Sequence, residues 1–128
     1  MRSARAAVGG LALITASCFL PGQAVRAMDI TSYDRDRAQP ASSPARGLLK
    51  IYLIGVGEGF KWSNAALASK RLTPLFCAPE QVPLTHENYL LFIDEMLERH
   101  REGLTQQQLP VEAILLKALQ DRLPCTAR

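Results

Sequence analysis

The sequence predicts an all-α fold: a small bundle of three main helices with one disulfide and a glycine-containing helix buried at its centre. Three observations predict it. Apolar residues recur at helical spacing in three separate stretches. Each stretch is bounded by Ser, Thr, Pro or Gly in the positions where those residues start or stop helices. No stretch alternates apolar with polar residues, as a half-buried strand would.

The chain of 128 residues has room for one domain. Its first segment reads as a leader outside that domain. Arg2 and Arg5 precede an apolar run, Ala6 to Leu20, and no acidic residue occurs before Asp29. Pro21 and Gly22 break the run, and Val25-Arg26-Ala27 ends in the small-x-small pattern of a secretory cleavage site. A run of about 15 apolar residues is short for a membrane span, which needs about 20. Residues 1–27 are therefore expected to be a signal peptide, and cleavage leaves Met28–Arg128. A lipid anchor at Cys18 is the alternative, because Thr15-Ala16-Ser17-Cys18 has the outline of a lipobox with Thr15 a poor fit.

The leader also carries the charge. The whole chain has 15 basic and 12 acidic residues and a net charge of +3. Arg2, Arg5 and Arg26 leave with the leader and no acid does, so the mature chain is balanced. Without a basic excess, non-specific nucleic-acid binding loses its electrostatic source. Cys77 and Cys125 remain as a pair, and an even number in an exported chain reads as a disulfide. Such a bridge closes a loop of about 49 residues, worth roughly 4 kcal/mol in the chain-entropy model. The other reading is a nucleophilic Cys77 with a histidine partner.

Residues 28–43 are polar, alternate in charge and lack an apolar period, which predicts a flexible arm. Residues 44–128 form the helical domain. Ser43-Pro44 suits a cap followed by the first helical position. The helix that follows, to about Lys70-Arg71, carries Leu49, Tyr52, Leu53, Val56, Phe60, Asn64 and Leu67 on one face. Leu48, Ile51, Ile54 and Trp62 make the opposite side apolar too, leaving Lys50, Glu58 and Lys61 as a narrow polar stripe. A helix apolar nearly all round belongs inside a bundle. Gly55, Gly57 and Gly59 each cost about 1 kcal/mol relative to alanine, which close approach of a neighbouring helix would offset.

Pro74, Pro79 and Pro83 exclude a long helix after that, so an ordered connector is expected, held by Cys77 and by burial of Leu75 and Phe76. Thr85 caps the second helix, whose stripe is Tyr89, Leu90, Phe92, Ile93, Met96 and Leu97. Gly103 should end it, with a polar turn from Leu104 to Leu109. Pro110 opens the third helix, and Val111, Ile114, Leu115, Ala118, Leu119 and Leu123 share its inner face.

Candidate sites are few. Gly55-x-Gly57-x-Gly59 lacks the spacing and the preceding strand of a nucleotide loop, so helix packing is its plainer reading. His86 and His100 are the only histidines and have no metal-ligand spacing. Ser63 and Ser69 lack a nucleophile turn. Asp94, Glu95, Glu98 and Glu102 read as a solvated face rather than a pair of catalytic carboxylates. Two polar residues stand on the apolar helix: Asn64, expected to be hydrogen-bonded because an unpaired buried amide is costly, and Glu58, expected to pair with Lys61. None of these is a catalytic centre, and no cofactor or metal is called for.

GVGEGFKWSNAAL, PLFCAPE, LTHENY and the terminal LPVEAILLKALQDRLPC together resemble the Rap/Tai immunity proteins of bacterial type VI secretion. The resemblance covers about Leu48 to Cys125. Its most specific parts are Gly57-Glu58-Gly59 with Trp62, Cys77 after Leu75-Phe76, and Leu123-Pro124-Cys125. It implies a small exported helical protein, non-enzymatic and periplasmic, that binds and occludes a peptidoglycan amidase toxin and forms a homodimer. It also implies that Cys77 and Cys125 are the disulfide pair and that Pro110 begins the last helix. The polar arm before Ser43 departs from the family pattern. Gln106, Gln107 and Gln108, in the turn between two helices, are candidate partner-binding residues, since their amides donate and accept; a solvated turn is the plainer reading. The alternative function is a periplasmic stress chaperone, which would expose apolar surface at low pH.

Overall fold

The computed structural model describes residues 27–80 and 83–125, so the predicted leader, including Cys18, lies outside the described residues apart from Ala27. Four helices and no strand occur among them: α1 (Ile30–Arg37), α2 (Pro44–Ser69), α3 (His86–Gln106) and α4 (Val111–Arg122). The fold is all-α with one disulfide, and it has one helix more than the sequence pattern predicts.

That helix, α1, replaces the expected flexible arm. Its residues are polar, but Asp29 caps it by accepting from the Ser32 N–H at 2.7 Å. One side chain ties it to the body: Tyr33 is fully buried, and its hydroxyl donates to Asp94 on α3 at 2.6 Å. Arg37 donates to the other Asp94 oxygen at 2.9 Å, and Arg101 reaches Asp34 at 2.7 Å.

The core centres on α3 and α4 rather than on α2. Tyr89, Leu90, Ile93, Met96 and Leu97 of α3 face Val111, Ile114, Leu115, Ala118 and Leu119 of α4, all buried. These are the two apolar stripes that the sequence predicts. From α2 only Leu49, Leu53 and Gly57 are buried. Tyr52, Val56 and Phe60 are partly buried against the core, while the opposite side of the helix is open. A 26-residue helix is about 39 Å long, and α1 and α3 cover one side of it. No described element covers the other. The expectation of a central buried helix is thus corrected: an apolar circumference does not guarantee enclosure when the described helices are too few to provide it.

The caps follow the sequence closely. Ser43 accepts from the Arg46 N–H at 3.2 Å, with Pro44 at the first turn. Thr85 and Asn88 form a capping box, the Thr85 N–H donating to Asn88 Oδ1 at 2.9 Å. Pro110 is the cap of α4 rather than its first residue. α3 does not stop at Gly103 but runs three residues further. It ends in a Schellman motif whose left-handed residue is Gln108, at φ 51°, with Leu109 N–H bonded to Leu104 O at 3.3 Å. The burial of Leu104 explains the extension: stopping at the glycine would leave that side chain unplaced. α2 ends in the same motif with Arg71 at φ 56° and Leu72 N–H bonded to Leu67 O at 2.9 Å.

Candidate protein-docking face

The open side of α2 is the most distinctive surface of the molecule. Leu48 is 68% exposed, Ile51 67%, Ile54 41% and Trp62 75%. Leu48, Ile51, Gly55, Gly59 and Trp62 are spaced by 3, 4, 4 and 3 residues, which places them in one row along the helix. The row is about 21 Å long. Contiguous exposed apolar surface of this kind marks interaction sites in soluble proteins, and tryptophan is the residue most enriched at their energetic centres.

The three glycines divide between the two sides of the helix. A Cβ on Gly57 would overlap the ring of Tyr89, so this glycine lets α3 approach α2, as the sequence predicts. A Cβ on Gly55 or Gly59 would meet no atom of the described residues within 4 Å. Neither serves packing among the described residues, and the expectation that all three do is corrected. Together they form a shallow notch in the open face, bounded by Leu48 and Ile51 at one end and Trp62 at the other. Glu58 and Lys61, paired at 2.6 Å, flank it as predicted.

The helix that carries the face is anchored just beyond Trp62. Asn64 accepts from the Leu75 N–H at 2.7 Å and donates to Phe76 O at 2.8 Å, satisfying a stretch of connector backbone with one side chain. Phe76 is buried. The Cys77 N–H donates to Leu123 O at 2.8 Å, and the Cys77 and Cys125 sulfurs are 2.07 Å apart in a disulfide. Asn64, Phe76, Cys77 and Leu123 therefore join the end of α2 to the connector and to the end of α4.

The remaining candidates stand apart from this face. Gln106 lies in the last turn of α3 near Glu102, while Gln107 caps the helix and Gln108 is its left-handed residue. All three side chains are exposed, but they belong to a helix end and not to a projecting turn. His86 contacts Glu87 at 2.9 Å at the start of α3, and His100 is exposed near its other end. No group of three or more metal-ligating side chains occurs among the described residues. Ser63 and Ser69 donate to the carbonyls of Gly59 and Ala66 in their own helix, both at 2.8 Å.

The acidic residues of α3 are not the uniform solvated face that the sequence predicts. Asp94 binds Tyr33 and Arg37, and Glu95 pairs with Arg122 of α4. Glu98 and Glu102 are exposed as expected. Burial, and then the Asp94 bond, hold the Tyr33 hydroxyl far above its ordinary pKa, and Asp94 raises Arg37. A second, partly buried contact links α2 to α4: the Tyr52 hydroxyl donates to Glu112 Oε1. Burial and that bond push Tyr52 up to about 12. Sequence reasoning missed Tyr33, Asp94 and Glu112. The one signal for the first is an aromatic residue four positions before Arg37 in an otherwise polar segment.

No helix among the described residues is long and apolar enough to cross a membrane. Comparison with protein-family models, with curated proteins and with solved structures gives no match.

Proposed function

We propose that the protein is an exported, non-enzymatic inhibitor that docks through the open face of α2 and covers the active site of a peptidoglycan amidase toxin. The observation that carries this reading is the row Leu48, Ile51, Gly55, Gly59 and Trp62. It presents an apolar ridge and a bare notch to solvent. The disulfide and the Asn64 clamp support it, since a face fixed before binding loses little freedom on binding. The motif resemblance to the Rap/Tai immunity proteins supplies the class of partner and the periplasmic location. A homodimer, implied by the same resemblance, is the competing occupant of the face.

The glycines separate a docking role from a purely structural one. Ala at Gly59 has room and should stabilise the helix by about 1 kcal/mol. If the notch receives a partner side chain, the same change weakens the complex. The experiment is inhibition of a purified peptidoglycan amidase, sought first among the products of the neighbouring genes. Wild-type protein should abolish its activity at equimolar ratio, and Gly59→Ala and Trp62→Ala should each need at least tenfold more protein. Lack of inhibition by the wild type defeats the proposal. A stress chaperone is the second reading, in which the exposed apolar side chains of α2 form part of the surface that holds an unfolded client. It requires suppression of client aggregation at pH 2–3, independent of Gly59.

A further inference from the structure

Where the mature chain begins has a structural counterpart at Met28. Its carbonyl accepts from the Val111 N–H at 2.8 Å, and its side chain packs against the core. Its N–H donates to the Tyr52 hydroxyl oxygen at 3.3 Å. Tyr52 in turn donates to Glu112 Oε1, in the first turn of α4. The second oxygen, Glu112 Oε2, is buried and has no hydrogen-bond partner among the described residues. Ala27, the residue before, is exposed.

This arrangement suits an amine better than an amide. In the uncut chain the Met28 nitrogen carries one proton, which goes to Tyr52, and Glu112 Oε2 is left without a donor. An unpaired buried carboxylate oxygen is costly. An α-ammonium carries three protons and a positive charge, and charge-assisted bonds to carboxylates are about twice as strong as neutral ones. The neighbouring carboxylate, Asp29, is already engaged with the Ser32 N–H, so Glu112 is the acid free to receive it.

We infer that hydrolysis of the Ala27–Met28 bond completes a binding site for the new chain end, in which the Met28 ammonium pairs with Glu112 beside Tyr52. A signal peptidase and one water are the reactants. The peptide C–N bond breaks, the water oxygen joins the Ala27 carboxylate, and the released amine takes up a proton. Export would then do more than remove the leader. It would lock the start of the chain, and α1 behind it, onto α2 and α4. The inference rests on the export reading of the proposed function, though not on the amidase.

The test uses chain purified from the periplasm. Mass spectrometry should find Met28 as its first residue; any other first residue overturns the inference without touching the docking proposal. Selective acetylation of the α-amine and the substitution Glu112→Gln should each lower the melting temperature by about 5 °C, as loss of one charge-assisted bond does in a domain of this size. Acetylation of the Glu112→Gln protein should lower it no further. Additive losses, or no loss on acetylation, overturn the pairing. If Glu112→Gln does not fold, titration of the wild-type α-amine by chemical labelling decides. Its pKa should lie above the ordinary range of about 7.7–8.0, and a value within or below that range rejects the pair.

Discussion

The Tyr33 hydroxyl of α1 donates to the Asp94 carboxylate of α3 at 2.6 Å, across 61 residues of sequence. The bond turns a short polar helix into part of the body. Phe at position 33 keeps the ring but leaves one Asp94 oxygen short of a donor, and should cost about 1–3 kcal/mol. Asp94→Ala also strands Arg37, and should cost at least as much. Urea denaturation of the two single variants and the double variant checks this: the double should be no worse than the sum, and smaller by the coupling between them.

Asn64 should be irreplaceable for the connector. Removing its amide in Asn64→Ala breaks bonds to both Leu75 N–H and Phe76 O, and should destabilise by about 2 kcal/mol. Asn64→Asp keeps the acceptor and loses the donor, so it should fall between Ala and wild type. Reduction of Cys77–Cys125 should cost roughly 4 kcal/mol and release two thiols. Melting curves with and without reductant check it.

Alanine should distinguish three glycines that all lie within helices. Gly57→Ala collides with Tyr89 and should cost about 1–3 kcal/mol despite its better helix propensity. Gly103→Ala and Gly55→Ala meet open space and should each gain about 1 kcal/mol. Chemical denaturation of the three variants gives the ordering directly.

Stability should fall on the alkaline side. Tyr52 is pushed up to about 12 from an ordinary value of 10.0, so folding favours its neutral form. The stability it contributes is fully present below pH 10 and is lost as pH rises through about 12. Tyr33, also raised, adds to the same slope. In Tyr52→Phe the slope between those limits should be shallower, as measured by urea midpoints at each pH.

Much of this fold is legible in the sequence, and the exceptions have physical reasons. The stripes of α3 and α4 fix their buried faces because each is apolar on one side only, so periodicity and burial agree. Ser43-Pro44 and Thr85 locate helix starts through backbone amides that need acceptors. α1 is not legible because one tyrosine and two ion pairs hold it, and no apolar period records them. Gly103 misleads because the burial of Leu104 outweighs the cost of a glycine within a helix. α2 misleads most. Leu48, Ile51, Ile54 and Trp62 announce burial, and no described element buries them. The same four residues mark the candidate docking face.

Trp62, the only tryptophan in the chain, is the natural reporter of that face. With Trp62 replaced by fluorotryptophan, the ¹⁹F resonance can be followed as unlabelled amidase is added. The resonance should shift or broaden and saturate at one equivalent, together with loss of amidase activity. Loss of activity with an unchanged Trp62 resonance would place the contact elsewhere and contradict it.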